Sequence, residues 1–199
     1  MRLFRNLAAM LLLAALAACG INSVPTAEET AKARWADVQA AFQERANLIP
    51  NLAEVARGAA EQEKAILTGV VEARAKATSI QLSADDLTDP AKMAQFQAAQ
   101  AQLSSSLAGF GRLLANFERY PELKSIQNYQ MLQSQLEGQE NRIRISIRDY
   151  NEAVRAYNTE VRTFPSMIAA KLIYGAKPMV PYQAVTPGAE VAPSLQGKL

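Results

Sequence analysis

The sequence predicts an all-α fold, a long antiparallel helical bundle, from three observations. Apolar residues recur at alternating steps of three and four along three stretches, strand-type alternation is almost absent, and prolines stand where those stretches begin or break. Steps of three and four put one apolar stripe on a helix, and a stripe kept over many turns packs as in a coiled coil.

The first stretch opens at Thr26 with Glu29 three residues on, the pattern of a capping box. From Trp35 its seam runs through Val38, Phe42, Arg45, Ile49, Leu52, Ala56, Ala59, Glu63, Ile66, Val70, Ala73 and Ala77 to Ile80. Pro50 removes one backbone donor and crowds the turn before it, which predicts a kink or break near Ile49.

Gln81 to Thr88 form a polar turn, and Asp89-Pro90 restarts the chain as a cap followed by proline at the first helical position. The second seam runs Met93, Phe96, Gln100, Leu103, Leu107, Phe110, Leu114, Phe117. Ser104 to Ser106, Gly109 and Gly111 lower the intrinsic propensity of this helix, so packing must hold it. The same small residues would permit close approach of another helix.

Tyr120-Pro121 marks the next boundary. The third seam is Leu136, Glu140, Ile143, Ile147, Tyr150, Val154, Tyr157, Val161 and Phe164, and the heptad Tyr150–Ala156 is repeated almost literally as Tyr157–Thr163. Pro165 ends or kinks this helix, and Ser166 to Tyr174 can form one more short helix. Straight helices of roughly 50 residues would span about 75 Å, and the second stretch is only about half as long. The expected solution is a first helix folded at Pro50, giving four antiparallel segments and a four-helix-bundle-like core; a projecting helical extension is the alternative.

The N-terminus carries a different pattern. Arg2 and Arg5 precede an unbroken apolar run from Leu7 to Ala17, and Leu16-Ala17-Ala18-Cys19 puts small residues before a cysteine. This is the layout of a secretory signal, with an apolar core short for a membrane span. The tetrapeptide resembles a bacterial lipobox, which implies cleavage before Cys19 and a diacylglycerol on its thiol, with palmitate among the acyl chains. An export signal that happens to contain a cysteine is the plainer reading. Cys19 is the sole cysteine, so no internal disulfide forms, and an anchor accounts for it. By the sorting convention for such lipoproteins, Gly20 favours the outer membrane, facing the periplasm, over the inner membrane. The expected organisation is a signal peptide over 1–18, an anchor linker over 19–26, a helical bundle over 27–175 and a flexible tail over 176–199. That tail is rich in proline, glycine and alanine; Tyr182 and its prolines could be a docking peptide, but an unstructured end is the expectation.

Removing residues 1–18 takes away Arg2 and Arg5 and no acids, leaving 19 basic and 19 acidic residues. A neutral chain sets up no field for nucleic acid or anionic lipid, so membrane attachment falls to the acyl chains. Arg142, Arg144, Arg148, Arg155 and Arg162 are interleaved with Glu137, Asp149, Glu152 and Glu160, the pattern of a solvated mixed-charge face.

No histidine is present, which removes the commonest base and, with a single committed cysteine, the usual zinc and copper ligand sets. No phosphate loop and no nucleophile elbow occurs. The expectation is a protein without catalysis, cofactor or metal. Three charged residues fall in apolar seams, Arg45, Glu63 and Glu140. Lone buried charges cost several kcal/mol, so a polar network is expected in which Arg45 pairs with Glu140 or Glu63; snorkelling out to solvent is the alternative. Tyr150 and Tyr157 read as core rings with wet hydroxyls.

Several segments occur together in a recognisable order. They are Arg45-Ala46-Asn47-Leu48-Ile49-Pro50-Asn51-Leu52, Tyr120-Pro121-Glu122-Leu123-Lys124, Leu136-Glu137-Gly138-Gln139-Glu140-Asn141-Arg142-Ile143, Asp149-Tyr150-Asn151-Glu152-Ala153-Val154, Tyr157-Asn158-Thr159 and Phe164-Pro165. Over Trp35 to Tyr174 the chain resembles the LemA family of bacterial envelope proteins. The resemblance implies a long-helix bundle outside the cytoplasm and supplies no catalytic residues. Members usually carry a single N-terminal membrane helix, where this chain has the Cys19 motif.

Three functions remain in view. The first is a non-enzymatic scaffold or interaction module, held at the membrane by lipid on Cys19 and offering its helices or tail to another envelope protein. The second is a carrier of a small molecule or lipid in a cavity lined by Trp35, Phe42, Phe96, Phe110 and Tyr150, and the third a hydrolase with two converging carboxylates. Leftover seam surface also leaves room for a homo-oligomer.

Overall fold

The computed structural model describes Asn6 and residues 21–57, 64–115 and 127–183. Helix α1 spans Ser23–Arg57, α2 Lys64–Ser79, α3 Pro90–Ala115, α4 Gln127–Arg162 and α5 Ser166–Leu172, with a 3₁₀ turn at Asp85–Thr88. No strand is present among the described residues, so the all-α expectation holds.

Two compact units share the chain. One comprises Met1–Phe42, Ser83–Pro90 and Gln139–Pro181, the other Gln43–Leu82, Ala91–Gly138 and Tyr182–Leu199. In the first unit Trp35, Val38 and Phe42 of α1 and Ile143, Tyr150, Val154, Tyr157 and Val161 of α4 are buried. These are the expected seams, and Val24 and Ala31 extend that of α1 upstream on the same repeat. The Trp35 and Tyr150 rings meet at 5.0 Å in a tilted pair, a geometry worth about 0.5–1.5 kcal/mol beyond the area buried.

In the second unit Ile49 of α1, Val70, Ala73 and Ala77 of α2 and Met93, Phe96, Leu103 and Phe110 of α3 form the buried set. The seam positions Leu52, Ala56, Ala59, Leu114 and Phe117 lie outside the side chains the structure describes. Pro90 opens α3, as the Asp89-Pro90 pair predicts.

Several expectations are corrected. Helix α1 begins at Ser23, so Thr26 is an interior residue and no cap; its hydroxyl turns back to the Asn22 carbonyl at 2.8 Å. The helical start also places 23–26, expected as linker, within α1. The helix does not break at Pro50 but continues to Arg57. Proline leaves the carbonyl four residues back without its helical donor. That carbonyl belongs to Ala46, and the Arg74 Nε–H supplies the bond at 2.7 Å. Close approach at the helix glycines is not seen either, because a Cβ at Gly109, Gly111 or Gly138 would meet nothing within 4 Å.

The third seam ends sooner than its repeat. Helix α4 stops at Arg162, and Phe164, the next seam position, is 76% exposed. Helix α5 follows a cis Phe164–Pro165 peptide. It buries its small residues Ser166, Ala169 and Ala170. Gly175 then turns the chain back at φ +57°, where a side chain would be strained, and the Ala176 N–H closes on the Ala170 carbonyl at 2.9 Å.

Candidate functional site

The expected flexible tail does not begin at Ala176. Residues 177–181 run along α4 and the 3₁₀ turn within the first unit, held by five hydrogen bonds. The Tyr157 hydroxyl donates to the Lys177 carbonyl at 3.1 Å. The Tyr150 hydroxyl donates to the Val180 carbonyl at 2.9 Å. Asn158 holds Met179 from both sides: its Nδ2 donates to the Met179 carbonyl and its Oδ1 accepts the Met179 N–H, each at 2.8 Å. The Val180 N–H completes the set at the Leu87 carbonyl, 2.8 Å away.

The repeated heptad explains this spacing. Seven residues of helix rise about 10.5 Å, and three residues of extended chain cover about 10 Å. Tyr150 and Tyr157 are one heptad apart, and their acceptors Val180 and Lys177 are three residues apart in the reverse order. The strap therefore runs antiparallel to α4 and in register with it. Met179 is buried beneath it. The tyrosines are core rings, as expected, but their hydroxyls are not wet. Burial raises the pKa of Tyr150 and of Tyr157; at Tyr157 the Glu28 carboxylate raises it further and Lys32 opposes. Lys32 is itself raised by hydrogen bonds to Glu28 and Glu29. Tyr182, in the second unit, is also buried, edge-on to Phe96 with ring centres 6.5 Å apart.

Of the three seam charges, Arg45 is inside the second unit, 1% exposed. Among its partners are Ser104 Oγ at 2.7 Å from Nη1 and Gln100 Oε1 at 2.9 Å from Nη2. Gln100 in turn donates to the Ala77 carbonyl at 3.2 Å, and Ser104 donates to the Gln100 carbonyl at 3.1 Å. So α1, α2 and α3 are tied by one buried polar cluster. Gln100 is a polar seam residue whose place in this network went unrecognised in the sequence. Glu140 is in the first unit with an exposed side chain. Glu63 and Cys19 lie outside the described residues.

The five aromatics expected to line a carrier cavity are all buried: Trp35, Phe42 and Tyr150 in the first unit, Phe96 and Phe110 in the second. None of them lines the two open grooves described next, both in the first unit. One, of about 410 Å³, lies beside the strap, with Asn151, Val154, Arg155, Asn158, Thr159, Arg162, Thr163 and Pro181 around it. The other, of about 620 Å³, follows the outer side of α1 from Pro25 to Arg34. The arginines Arg142, Arg144, Arg148, Arg155 and Arg162 are exposed, with Arg148 3.0 Å from Asp149 and Arg155 4.0 Å from Glu152, a solvated mixed-charge face. Among the described residues no group of three or more acid or thiol side chains is placed to hold a metal, and no helix is long and apolar enough to cross a membrane.

Comparison with known proteins agrees with the motifs. Magnetosome proteins MamQ 2 and MamQ 1 of Paramagnetospirillum magneticum are each 24% identical to this chain over 158 residues, covering 72% of it and 58% of the relative. Protein LemA of Metamycoplasma hominis is 27% identical over 136 residues, covering 68% of this chain and 57% of that one. The chain thus spans less than two thirds of the length of these relatives. The model of the LemA family matches residues 34–196, which takes in every described helix from the middle of α1 onward and the strap on α4; the chain belongs to the LemA family.

Proposed function

We propose that this chain is a non-enzymatic, lipid-anchored module of the cell envelope that docks another envelope protein on the arginine-flanked groove beside its strap. The anchor is Cys19 after cleavage of residues 1–18, and Gly20 directs the protein to the outer membrane with its helices in the periplasm. The observation that carries the docking is the groove itself. Asn151, Thr159 and Thr163 line it with polar side chains whose oxygens can accept, Val154 and Pro181 add apolar surface, and Arg155 and Arg162 add exposed charge. That mixture suits a polypeptide segment with acidic and small apolar residues.

The test is affinity purification of crosslinked, detergent-extracted protein from its own cells, comparing wild type, Cys19→Ser and an Arg155→Glu, Arg162→Glu variant. A protein recovered with wild type, and lost from both variants, supports an anchored docking module. Equal recovery from the arginine variant sinks the groove as the site. Absence of any protein partner from every form sinks the docking reading and turns attention to lipid extracted with the purified protein.

A further inference from the structure

Helix α5 is amphipathic in an inverted sense. Its small residues Ser166, Ala169 and Ala170 are buried, whereas Ile168 and Leu172 are exposed and Met167 is half-buried. Ile168 is 49% exposed, Leu172 81% and Ile173 60%, with Phe164 on one flank and Tyr174 on the other also exposed. Five large apolar side chains within eleven residues are more than the scattered exposure of an ordinary surface. Arg162, Lys171 and Lys177 are exposed among them, and no acid occurs between Val161 and Ala189.

The start of α1 is tied to this end of the unit. The Ser23 hydroxyl donates to Glu160 Oε2 at 2.7 Å, and the Ser166 hydroxyl, at the first residue of α5, donates to the Glu160 carbonyl at 2.9 Å. Two hydrogen bonds thus link the first residue of α1 to the first residue of α5. Cys19 stands four residues before Ser23 in the sequence, a reach of at most about 14 Å. An acyl chain on Cys19 is therefore tethered at the end of the unit that carries α5.

We propose that Phe164, Ile168, Leu172, Ile173 and Tyr174 form a membrane-interface surface that lies in the headgroup region beside the anchor, with Lys171 and Lys177 against anionic phospholipid. This rests on the anchoring reading above. Large apolar side chains gain by burial at the acyl boundary, cations gain near anionic headgroups, and a tyrosine suits that depth. The acyl chains hold the protein on the membrane, and this surface sets its orientation.

The test uses the full lipidated chain in vesicles of phosphatidylethanolamine with one part in four phosphatidylglycerol. An environment-sensitive fluorophore is placed on Leu172→Cys or, as a reference on α3, on Ala98→Cys, both exposed positions. The chain without an added cysteine sets the baseline for any label on Cys19. The expected result is a blue-shifted label at 172 that loses roughly half its emission to lipids carrying a nitroxide near the headgroup, with no such loss at 98. Ile168→Ser with Ile173→Ser should abolish that loss. An unquenched, unshifted label at 172 on protein that survives an alkaline wash overturns the surface and leaves the anchor standing. Release of the wild-type chain by that wash overturns the anchor, and the surface with it. A blue shift without nitroxide quenching, growing with protein density, assigns the patch to a second copy and overturns the proposal.

Discussion

Arg74 on α2 donates its Nε–H to the carbonyl of Ala46 on α1, at 2.7 Å, and that carbonyl is the one Pro50 deprives of its helical donor. Proline inside a helix removes one bond and crowds the turn, a cost of about 3 kcal/mol or more. Supplying a guanidinium donor recovers part of it, and fastens α2 to α1 at the same point. Arg74→Met should therefore lower stability by roughly 1.5–3 kcal/mol, the range for a hydrogen bond to a charged group. In a Pro50→Ala background residue 50 regains its N–H, and the same substitution should cost clearly less. A double-mutant cycle read by urea unfolding checks this; equal costs in the two backgrounds would separate Arg74 from the proline.

The strap has its own test in hydrogen exchange. The Met179 amide is held by Asn158 Oδ1 and the Val180 amide by the Leu87 carbonyl. Asn158→Ala removes both bonds to Met179. Each net bond contributes about 0.5–1.5 kcal/mol, so local opening of the strap should become roughly ten- to a hundredfold more frequent. Faster exchange should be confined to 177–182 and leave the middle of α4 unchanged. Exchange spread through α4 would mean that Asn158 serves the helix and not the strap.

Arg45 can be tested without knowing a partner protein. Its two terminal nitrogens reach different acceptors, Ser104 Oγ and Gln100 Oε1. Arg45→Met should cost roughly 2–4 kcal/mol in chemical denaturation, because it strands polar groups in a buried cluster. Arg45→Lys should recover little, since one ammonium cannot reproduce the planar fork. An unchanged midpoint in Arg45→Met would rule out a structural role for the cluster.

Gly138 stands inside α4 with open space where a Cβ would go. Packing gives no reason for glycine, so Gly138→Ala should stabilise the protein by about 0.5–1 kcal/mol through helix propensity alone. Thermal unfolding reads this directly. A loss of stability would show that the backbone there needs a conformation alanine resists.

What was legible in the sequence follows from where one stripe of side chains decides the structure. Trp35, Val38, Phe42, Arg45 and Ile49 are buried in the order their spacing requires, as are Met93, Phe96, Gln100 and Leu103. Periodicity fails where a helix ends for other reasons. Phe164 continues the repeat on paper, but α4 has already stopped at Arg162. It fails too at Glu140, exposed where the extrapolated seam would bury it, while Ile143 one step later is buried. Of the kink or break expected at Pro50, the break does not occur, because the carbonyl the proline leaves open is bonded by Arg74, a partner 24 residues further along the chain. The strap was hidden for a related reason: residues 177–182 carry no period, and composition alone reads as a loose end. The signal that could have exposed it is the heptad repeat, which sets Tyr150 and Tyr157 on one line with a polar Asn158 beside it.

The tyrosines also give the fold an alkaline limit. Burial holds the Tyr150 and Tyr157 phenols neutral above their ordinary range, with Glu28 adding to the effect at Tyr157. An unfolded tyrosine ionises near pH 10, at about its reference value. Above that pH the unfolded chain has lost protons that the folded chain still binds, so stability must fall as pH rises. Below it both states are protonated, and the contribution of the buried phenols is fully present. Lys32, raised by Glu28 and Glu29, acts in the same direction, though its exposure keeps its share small. Urea unfolding across an alkaline series should give a free energy that declines from about pH 10 upward. Tyr150→Phe should flatten that decline, because phenylalanine keeps the ring against Trp35 and has no proton to lose. It should also cost about 1 kcal/mol at neutral pH through the lost bond to the Val180 carbonyl. An alkaline slope identical in wild type and Tyr150→Phe would show that the phenol at 150 ionises as freely in the folded chain as in the unfolded one, against the burial described for it.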